Sequence, residues 1–253
     1  MIGIYFSGTG NTKYCIEKFL SFLGTNISAI SIEDENVLKE IKKHKKIVFA
    51  YPIYFSNLPK IVYDFIELNG EIFRKKEIFI ISTMGLFSGD GAGCSARLLK
   101  HYGANIVGGL HLKMPDCISD EKMLKHSLEK NKLLIENANE KIEKSCNKLK
   151  NGTPTREGLN ILYHIAGLFG QRLWFYNKTR HYSNKLKINA SKCIGCGKCV
   201  SNCPMHNLSI VNNKVLSKGN CTMCYRCINN CPKQAITLLG NKIIEQGTIE
   251  KYL

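Results

Sequence analysis

Eight cysteines between Cys193 and Cys231 constrain this chain more than any other feature, because they fall into two runs of one spacing, CxxCxxCxxxCP. The first run reads CIGCGKCVSNCP at 193 to 204 and the second CTMCYRCINNCP at 221 to 232, an internal repeat offset by 28 positions. A crowd of cysteines in a small secreted protein reads as a disulfide framework. Triplets at two-residue spacing, each with a distal cysteine set before proline, read instead as metal ligands. Three thiolates from one tight loop can wrap one face of a cubane, leaving the fourth to come from elsewhere. In a repeated arrangement the last cysteine of each run serves the cluster of the other run. That predicts one 4Fe-4S cluster on Cys193, Cys196, Cys199 and Cys231, and a second on Cys221, Cys224, Cys227 and Cys203. Gly195 and Gly197 let the loop turn its amides toward sulfur, while Pro204 and Pro232 fix the backbone after each distal ligand. The competing metal is zinc, which usually takes two separated ligand pairs rather than triplets. Cys15, Cys94, Cys117 and Cys146 stand singly without ligand spacing and read as small buried or incidental thiols.

Upstream the periodicity changes. Residues 1 to 112 alternate short β-rich runs, at 2 to 6, 27 to 32, 46 to 51, 77 to 83 and 105 to 112, with helical patterns beginning near Thr12, Pro59 and Gly91. This is the signature of an α/β fold with a parallel, doubly wound five-stranded sheet. Apolar residues at helical spacing from Leu124 to Leu149 predict a closing helix over 120 to 149, stopped by Gly152 and Pro154. The expected organisation is a first domain at 1 to 152, a helical connector at 153 to 183 and a small α+β cluster domain at 184 to 253. Because Met1 leads straight into a strand and a glycine-rich turn, no signal peptide is expected and the cytoplasm is the expected compartment. The apolar stretch from Leu159 to Tyr176 is broken by His164, Gln171 and Arg172, so it is not expected to span a membrane.

The turn after the first strand is Ser7-Gly8-Thr9-Gly10-Asn11-Thr12. Hydroxyls, glycines and the start of a helix together make a phosphate cradle. It is neither GxxxxGK[ST] nor GxGxxG, so nucleotide hydrolysis and dinucleotide binding are unsupported, and a loop without ligand is the bland alternative. In a doubly wound sheet the ligand lies outside the carboxyl ends of the strands, which brings in the next two loops. After strand three these are Pro52, Ile53, Tyr54, Phe55, Ser56, Asn57 and Leu58; after strand four they are Thr83, Met84, Gly85, Leu86, Phe87, Gly89 and Asp90. Tyr54 and Phe55 offer aromatic faces for stacking, and the second loop offers flexible backbone. The glycines from Gly89 to Gly93 read as a turn and a helix start.

Over roughly its first 150 residues the chain resembles flavodoxins in its hydroxyl-rich turn. From Asn184 to Leu239 it resembles bacterial two-cluster ferredoxins, with every ligand position filled. Joined, the halves resemble the flavodoxin/ferredoxin fusion proteins of anaerobic bacteria. The resemblance implies FMN on the turn and the two loops, two low-potential 4Fe-4S clusters, and electrons passing between them, so that a two-electron carrier exchanges with one-electron partners. The alternative is an FMN-dependent reductase of a small molecule, fed by its own clusters. No acid/base constellation stands out: Tyr54, Asp90 and His111 are potential proton donors without a recognisable partner.

Charge departs from that family pattern. The formal charge is +16, and residues 184 to 253 carry nine Lys and one Arg against two Glu. Such a surface favours acidic redox proteins as partners. Nucleic acid is not expected, since the Lys42 to Lys46 run has no recognition helix around it. The apolar face of the connector, Leu159 to Tyr176, is expected to pack between the domains, with membrane-surface or partner binding as the less favoured reading.

Overall fold

The computed structural model describes residues 1–86, 89–173 and 182–253, with backbone alone for Gln171 and Arg172. Five parallel strands, β1 (Ile2–Tyr5), β2 (Ala29–Ser31), β3 (Lys46–Pro52), β4 (Glu77–Met84) and β5 (Asn105–Lys113), form one sheet in the order β2-β1-β3-β4-β5. The central strands are near-continuous apolar runs because both of their faces are covered. Side chains of period two sort the sheet into two cores. Ile47, Phe49 and Tyr51 of β3 pack with α2 (Val37–Lys43), α3 (Lys60–Asn69) and α4 (Gly91–His101). Val48 and Ala50 pack on the other side with α1 (Asn11–Leu23) and α5 (Leu128–Lys150).

The sheet and its connectivity agree with the expected flavodoxin-like fold, while two helices differ from expectation. Helix α2 gave too short a pattern to be read. The closing helix starts at Leu128 rather than Asp120, because Ser127 caps it by accepting the Lys130 N–H at 3.3 Å and because Asp120 is held elsewhere. Asp120 is buried. It accepts the Tyr225 hydroxyl at 2.8 Å and the amides of Leu238 and Leu239 at 2.6 and 3.0 Å. Three bonds from a tertiary partner outweigh about two more helical turns. Asp120→Asn keeps one oxygen for the two backbone N–H groups but sets an NH₂ against the Tyr225 hydroxyl, which must turn from donor to acceptor, and it replaces three bonds to a charged group with neutral ones. It should lower the unfolding free energy by about 2–3 kcal/mol, read as an earlier midpoint in anaerobic urea titration.

The smaller unit holds β6 (Lys187–Ile188) paired with β9 (Ile236–Thr237), the ribbon β7 (Leu208–Val211) with β8 (Lys214–Ser217), and one-turn helices at Lys198–Ser201 and Arg226–Asn229. Its chain then returns to the first domain: Ile249 and Tyr252 enter the core beneath α1 and α5, and the Ile249 amide bonds the Thr9 carbonyl at 3.0 Å.

In the connector, α6 (Ile161–Gly167) continues into one π turn, Leu168–Arg172. Its apolar stripe is not buried between the domains as expected: Leu162, Phe169 and Leu173 are 71%, 64% and 59% exposed. What packs is Leu159 against the core, Tyr163 edge-on to His111, and Gly167, lying close under Gly89. Trp174, Phe175 and Tyr176 of the expected stripe lie outside the described residues. Among the described residues no helix is long and apolar enough to cross a membrane.

Candidate functional site

The carboxyl ends of β1, β3, β4 and β5 meet at a cavity of about 300 Å³. The first-strand turn supplies Ser7, Gly8, Thr9, Asn11 and Thr12 to its lining. Gly10 stands behind them at φ 96°, a left-handed conformation suited to glycine, and its N–H donates to Ser7 Oγ at 3.2 Å. Asn11 Nδ2 donates to the Pro115 carbonyl at 2.7 Å, and the hydroxyls of Thr12 and Thr83 lie 2.7 Å apart, so the turn is tied to the loops after β5 and β4. Helix α1 begins here and points its unpaired first-turn amides at the cavity end of the sheet. Hydroxyls and amides of this kind suit a phosphate.

From the loop after β3, Pro52, Ile53, Tyr54, Phe55 and Ser56 line the cavity. Tyr54 and Asn57 exchange backbone bonds of 3.1 and 3.0 Å across Phe55 and Ser56, which sit at φ 51° and 57°. Left-handed backbone costs a non-glycine residue about 1–2 kcal/mol, and strain of this kind gathers at ligand clamps. Asn57 and Leu58 brace the loop instead of lining the cavity: Asn57 Oδ1 accepts the Leu58 amide, and Leu58 packs into the core.

Thr83, Met84, Gly85 and Leu86 complete the wall from β4. A Cβ on Gly85 would lie 2.2 Å from Asp116 Oδ2, so any larger residue here would make that carboxylate move. Phe87 lies outside the described residues. Gly89 and Asp90 turn away from the cavity: Gly89 presses on Gly167, and the buried Asp90 carboxylate takes Arg97 at 2.7 Å and His164 at 2.9 Å. As expected, α4 starts directly after them.

Two parts of the lining were not foreseen. The loop after β5 brings Met114, Pro115, Asp116, Cys117 and Ile118, which the rule used for strands three and four would have reached had it been extended one strand further. Cys117 is therefore not an incidental thiol. Burial raises its pKa, reinforced by Asp116 and Cys224, and burial likewise lifts the Asp116 carboxyl against the Ile118 amide bonded to it. The second part is Met223, Tyr225, Leu238 and Leu239 from the smaller unit. Nothing local in the sequence announces them.

A cation also reaches the turn. Arg226 comes from 219 positions along the chain to donate to the Ser7 carbonyl at 2.7 Å, while both of its Nη atoms hold Glu33 at 2.7 Å. A bidentate carboxylate pair fixes the fork in place.

The cysteines assemble across the repeat. Cys203 of the first run lines a small cavity with Cys221, Cys224 and Cys227 of the second. Cys199 in turn has Cys231, Cys193 and Cys196 as its charged neighbours. Each grouping thus sets one distal cysteine beside a triplet. Burial and the neighbouring cysteines push the Cys224 thiol up to about 12 and raise Cys227 and Cys221 as well. Thiols packed so closely ionise only against a cationic core, which an iron–sulfur cluster provides. Among the described residues no three Cys, His, Asp or Glu side chains close on a single-ion site, whereas a cubane spreads its sulfurs around four irons. Amides already point at sulfur: Asn207 to Cys203 and Ala235 to Cys231, each at 3.3 Å and each four residues beyond its cysteine. The loops also share a backbone. Gly195 and Gly197, at φ 66° and 75°, are matched 28 positions later by Met223 and Tyr225 at 59° and 57°.

A second cavity, of about 360 Å³, shares Met84 and Leu86 with the first and is lined by His111, Lys141, Glu157 and Tyr163 among others. His111 accepts the Ala92 amide on Nε2 at 3.2 Å, and burial lowers its pKa to about 4; Glu157 and Asp90 oppose that shift, while Lys141 adds to it. The unfolded chain therefore takes up this proton near pH 6.5 and the folded chain only near pH 4, so stability is full above about 6.5 and is lost as pH falls. The ceiling is about 3 kcal/mol. His111→Gln should flatten the profile of unfolding free energy between pH 6.5 and 4.

Residues 2–105 match the family model described as a flavodoxin domain, and residues 185–232 match the 4Fe-4S dicluster domain. No curated protein matches the chain. Among solved structures, the flavodoxin of Fusobacterium nucleatum bound to flavin mononucleotide is 19% identical over 59% of this chain and 96% of its own, with a TM-score of 0.43. The two-electron reduced flavodoxin of Megasphaera elsdenii is 19% identical over 58% and 99%, at 0.43. Oxidised Flavodoxin 2 of Bacillus cereus is 17% identical over 59% and 97%, at 0.45.

Proposed function

Because the chain joins a flavodoxin domain to a 4Fe-4S dicluster domain and so serves electron transfer with flavin and iron–sulfur, we propose that it is an internally wired carrier holding FMN and two clusters. When bound, the flavin exchanges electrons in pairs or singly and each cluster passes one at a time, which makes the protein a two-to-one converter for redox protein partners.

The observation that carries this reading is the wall shared by the two domains. The cluster loop bearing Met223 and Tyr225 lines the flavin cavity, and a Cβ on Gly8 would lie 2.3 Å from the Cys224 carbonyl oxygen. No partner protein fits at that junction, so the Cys221 set is the neighbour of the flavin. The Cys193 set lies beyond it and includes Cys196, the one exposed cysteine of the eight. The order of sites is then outer set, inner set, cavity. Arg226, in sequence between the inner ligands Cys224 and Cys227, holds the two domains in register through Glu33, Ser7 and Gly8. Asp116, its carboxyl raised by burial, sets an acidic group at the cavity.

Laser flash photolysis with a deazaflavin reductant tests the reading. Cluster reduction should be followed by flavin bleaching at a first-order rate independent of protein concentration. A flavin that bleaches only in proportion to reductant would end the proposal. The neighbouring cavity of about 360 Å³, which meets the first at Met84 and Leu86, favours a second reading in which a small molecule reaches the flavin edge from that side. Steady-state oxidation of the reduced protein by a small-molecule panel separates the two readings.

A further inference from the structure

No Asp or Glu occurs between Asn184 and Ile244, while eight lysines and Arg226 do. Among the described residues the ion pairs of the smaller unit are Arg226–Glu33 and Lys251–Glu245, both on its side facing the first domain or in its tail. The lysines around the outer cysteine set are left to solvent. Lys192 and Lys198 flank the exposed Cys196 loop, and Lys214 leads off the ribbon strand that follows.

The same end of the molecule is apolar. Ile194, between two ligands of the outer set, is 59% exposed. Ile210 on the ribbon is 41% exposed and reaches Gly197, where its Cδ1 would lie 3.5 Å from an added Cβ; Gly195 packs on Asn213 at the ribbon tip. On the opposite face of the ribbon Val211 pairs across the strands with Lys214, and Leu216 stands two residues further along β8; the two apolar residues are 49% and 51% exposed. Ile194 and Ile210 thus stand exposed beside Lys192 and Lys198, and apolar contact bordered by one charge sign is the anatomy of a steered, transient protein interface.

We infer that the Cys193–Cys196 loop and the β7–β8 ribbon form the docking surface for an acidic one-electron carrier protein. This rests on the proposed order of the sites, because it places the partner over the outer set, on the side away from the flavin cavity. The charge selects the occupant. A second copy of this chain would bring lysine against lysine, and an ordinary acidic ferredoxin or flavodoxin would bring carboxylates.

The test is calorimetric titration of the full holoprotein with an oxidised, acidic two-cluster ferredoxin at low salt, alongside the triple variant Lys192→Glu, Lys198→Glu, Lys214→Glu. Iron content of the variant should equal that of the parent. The parent should bind, with affinity falling steeply as salt rises toward about 0.5 M, where screening is nearly complete. The variant should bind at least about tenfold more weakly, the lower end of electrostatic steering effects. Ile210→Ser should weaken binding without changing the salt slope. Equal affinity of parent and variant would overturn the inference, as would self-association of the parent in sedimentation or co-pelleting with phosphatidylglycerol vesicles in place of carrier binding. Flavin bleaching after flash reduction of the clusters does not depend on this surface. Its loss would sink the wiring while leaving the binding result readable.

Discussion

Cys203→Ser is expected to remove the inner cluster and leave the outer one, although Cys203 belongs in sequence to the run that supplies the outer ligands. Iron should fall from about eight to about four per chain. Flavin bleaching after flash reduction should lose its first-order phase, because the surviving cluster no longer borders the cavity. Cys224→Ser should give the same spectrum, since both cysteines line one small cavity. Cys231→Ser should take the other cluster and spare the fast phase, because Cys231 groups with Cys199. Low-temperature electron paramagnetic resonance of the reduced variants reads the difference. If Cys203→Ser matched Cys196→Ser rather than Cys224→Ser, ligation would be uncrossed and the order of sites would fall with it.

The second large effect is expected at Gly8, where the two domains are closest to the flavin turn. An added methyl would lie 2.3 Å from the Cys224 carbonyl and 3.1 Å from the Tyr54 hydroxyl, and the first of these is backbone that cannot swing aside. Gly8→Ala should therefore lower the unfolding free energy by about 1–3 kcal/mol, as overpacking does. Cluster content should be unaffected, because the clash falls on the backbone carbonyl of Cys224 and not on its sulfur. The transfer phase should slow by at least an order of magnitude as the cluster loop is pushed off the turn. Flash photolysis and iron analysis on the same sample check both halves, and an unchanged rate would mean that electrons do not cross at this junction.

What the sequence disclosed and what it hid divide along one physical line. The cysteine triplets, the hydroxyl turn and the alternation of strands with helices are local patterns, and each was read with nearly its observed bounds. That the last cysteine of one run would stand with the triplet of the other was legible because the repeat itself implies it. The wall of the flavin cavity contributed by Met223, Tyr225, Leu238 and Leu239 was not legible, since it depends on how two separately patterned units meet. Asp120 shows the same limit: its neighbourhood reads as helix, yet three donors from the other unit claim its carboxylate. Arg226 sits in a motif whose cysteines explain the motif fully, so nothing marked it as the partner of Glu33, 193 positions away. The connector stripe misled for the opposite reason. Amphipathic spacing at Leu162, Phe169 and Leu173 foretells an apolar face but not that the face is covered, and here it is exposed.

Two copies of one loop, 28 residues apart, trace the same left-handed bends, but where the outer copy has glycine the inner copy has Met223 and Tyr225. A bend that glycine makes freely is here made by side chains that resist it. What the inner copy gains is a surface for the flavin cavity, because both side chains line it. On the proposed wiring the duplicated loops have parted in role: the outer copy turns on glycine, while the inner copy is a partition between cluster and flavin. Exchanging that pair for glycine would leave a loop still shaped to grip iron and sulfur, but with the partition removed, so gripping a cluster and facing the flavin are separable properties of the same twelve residues.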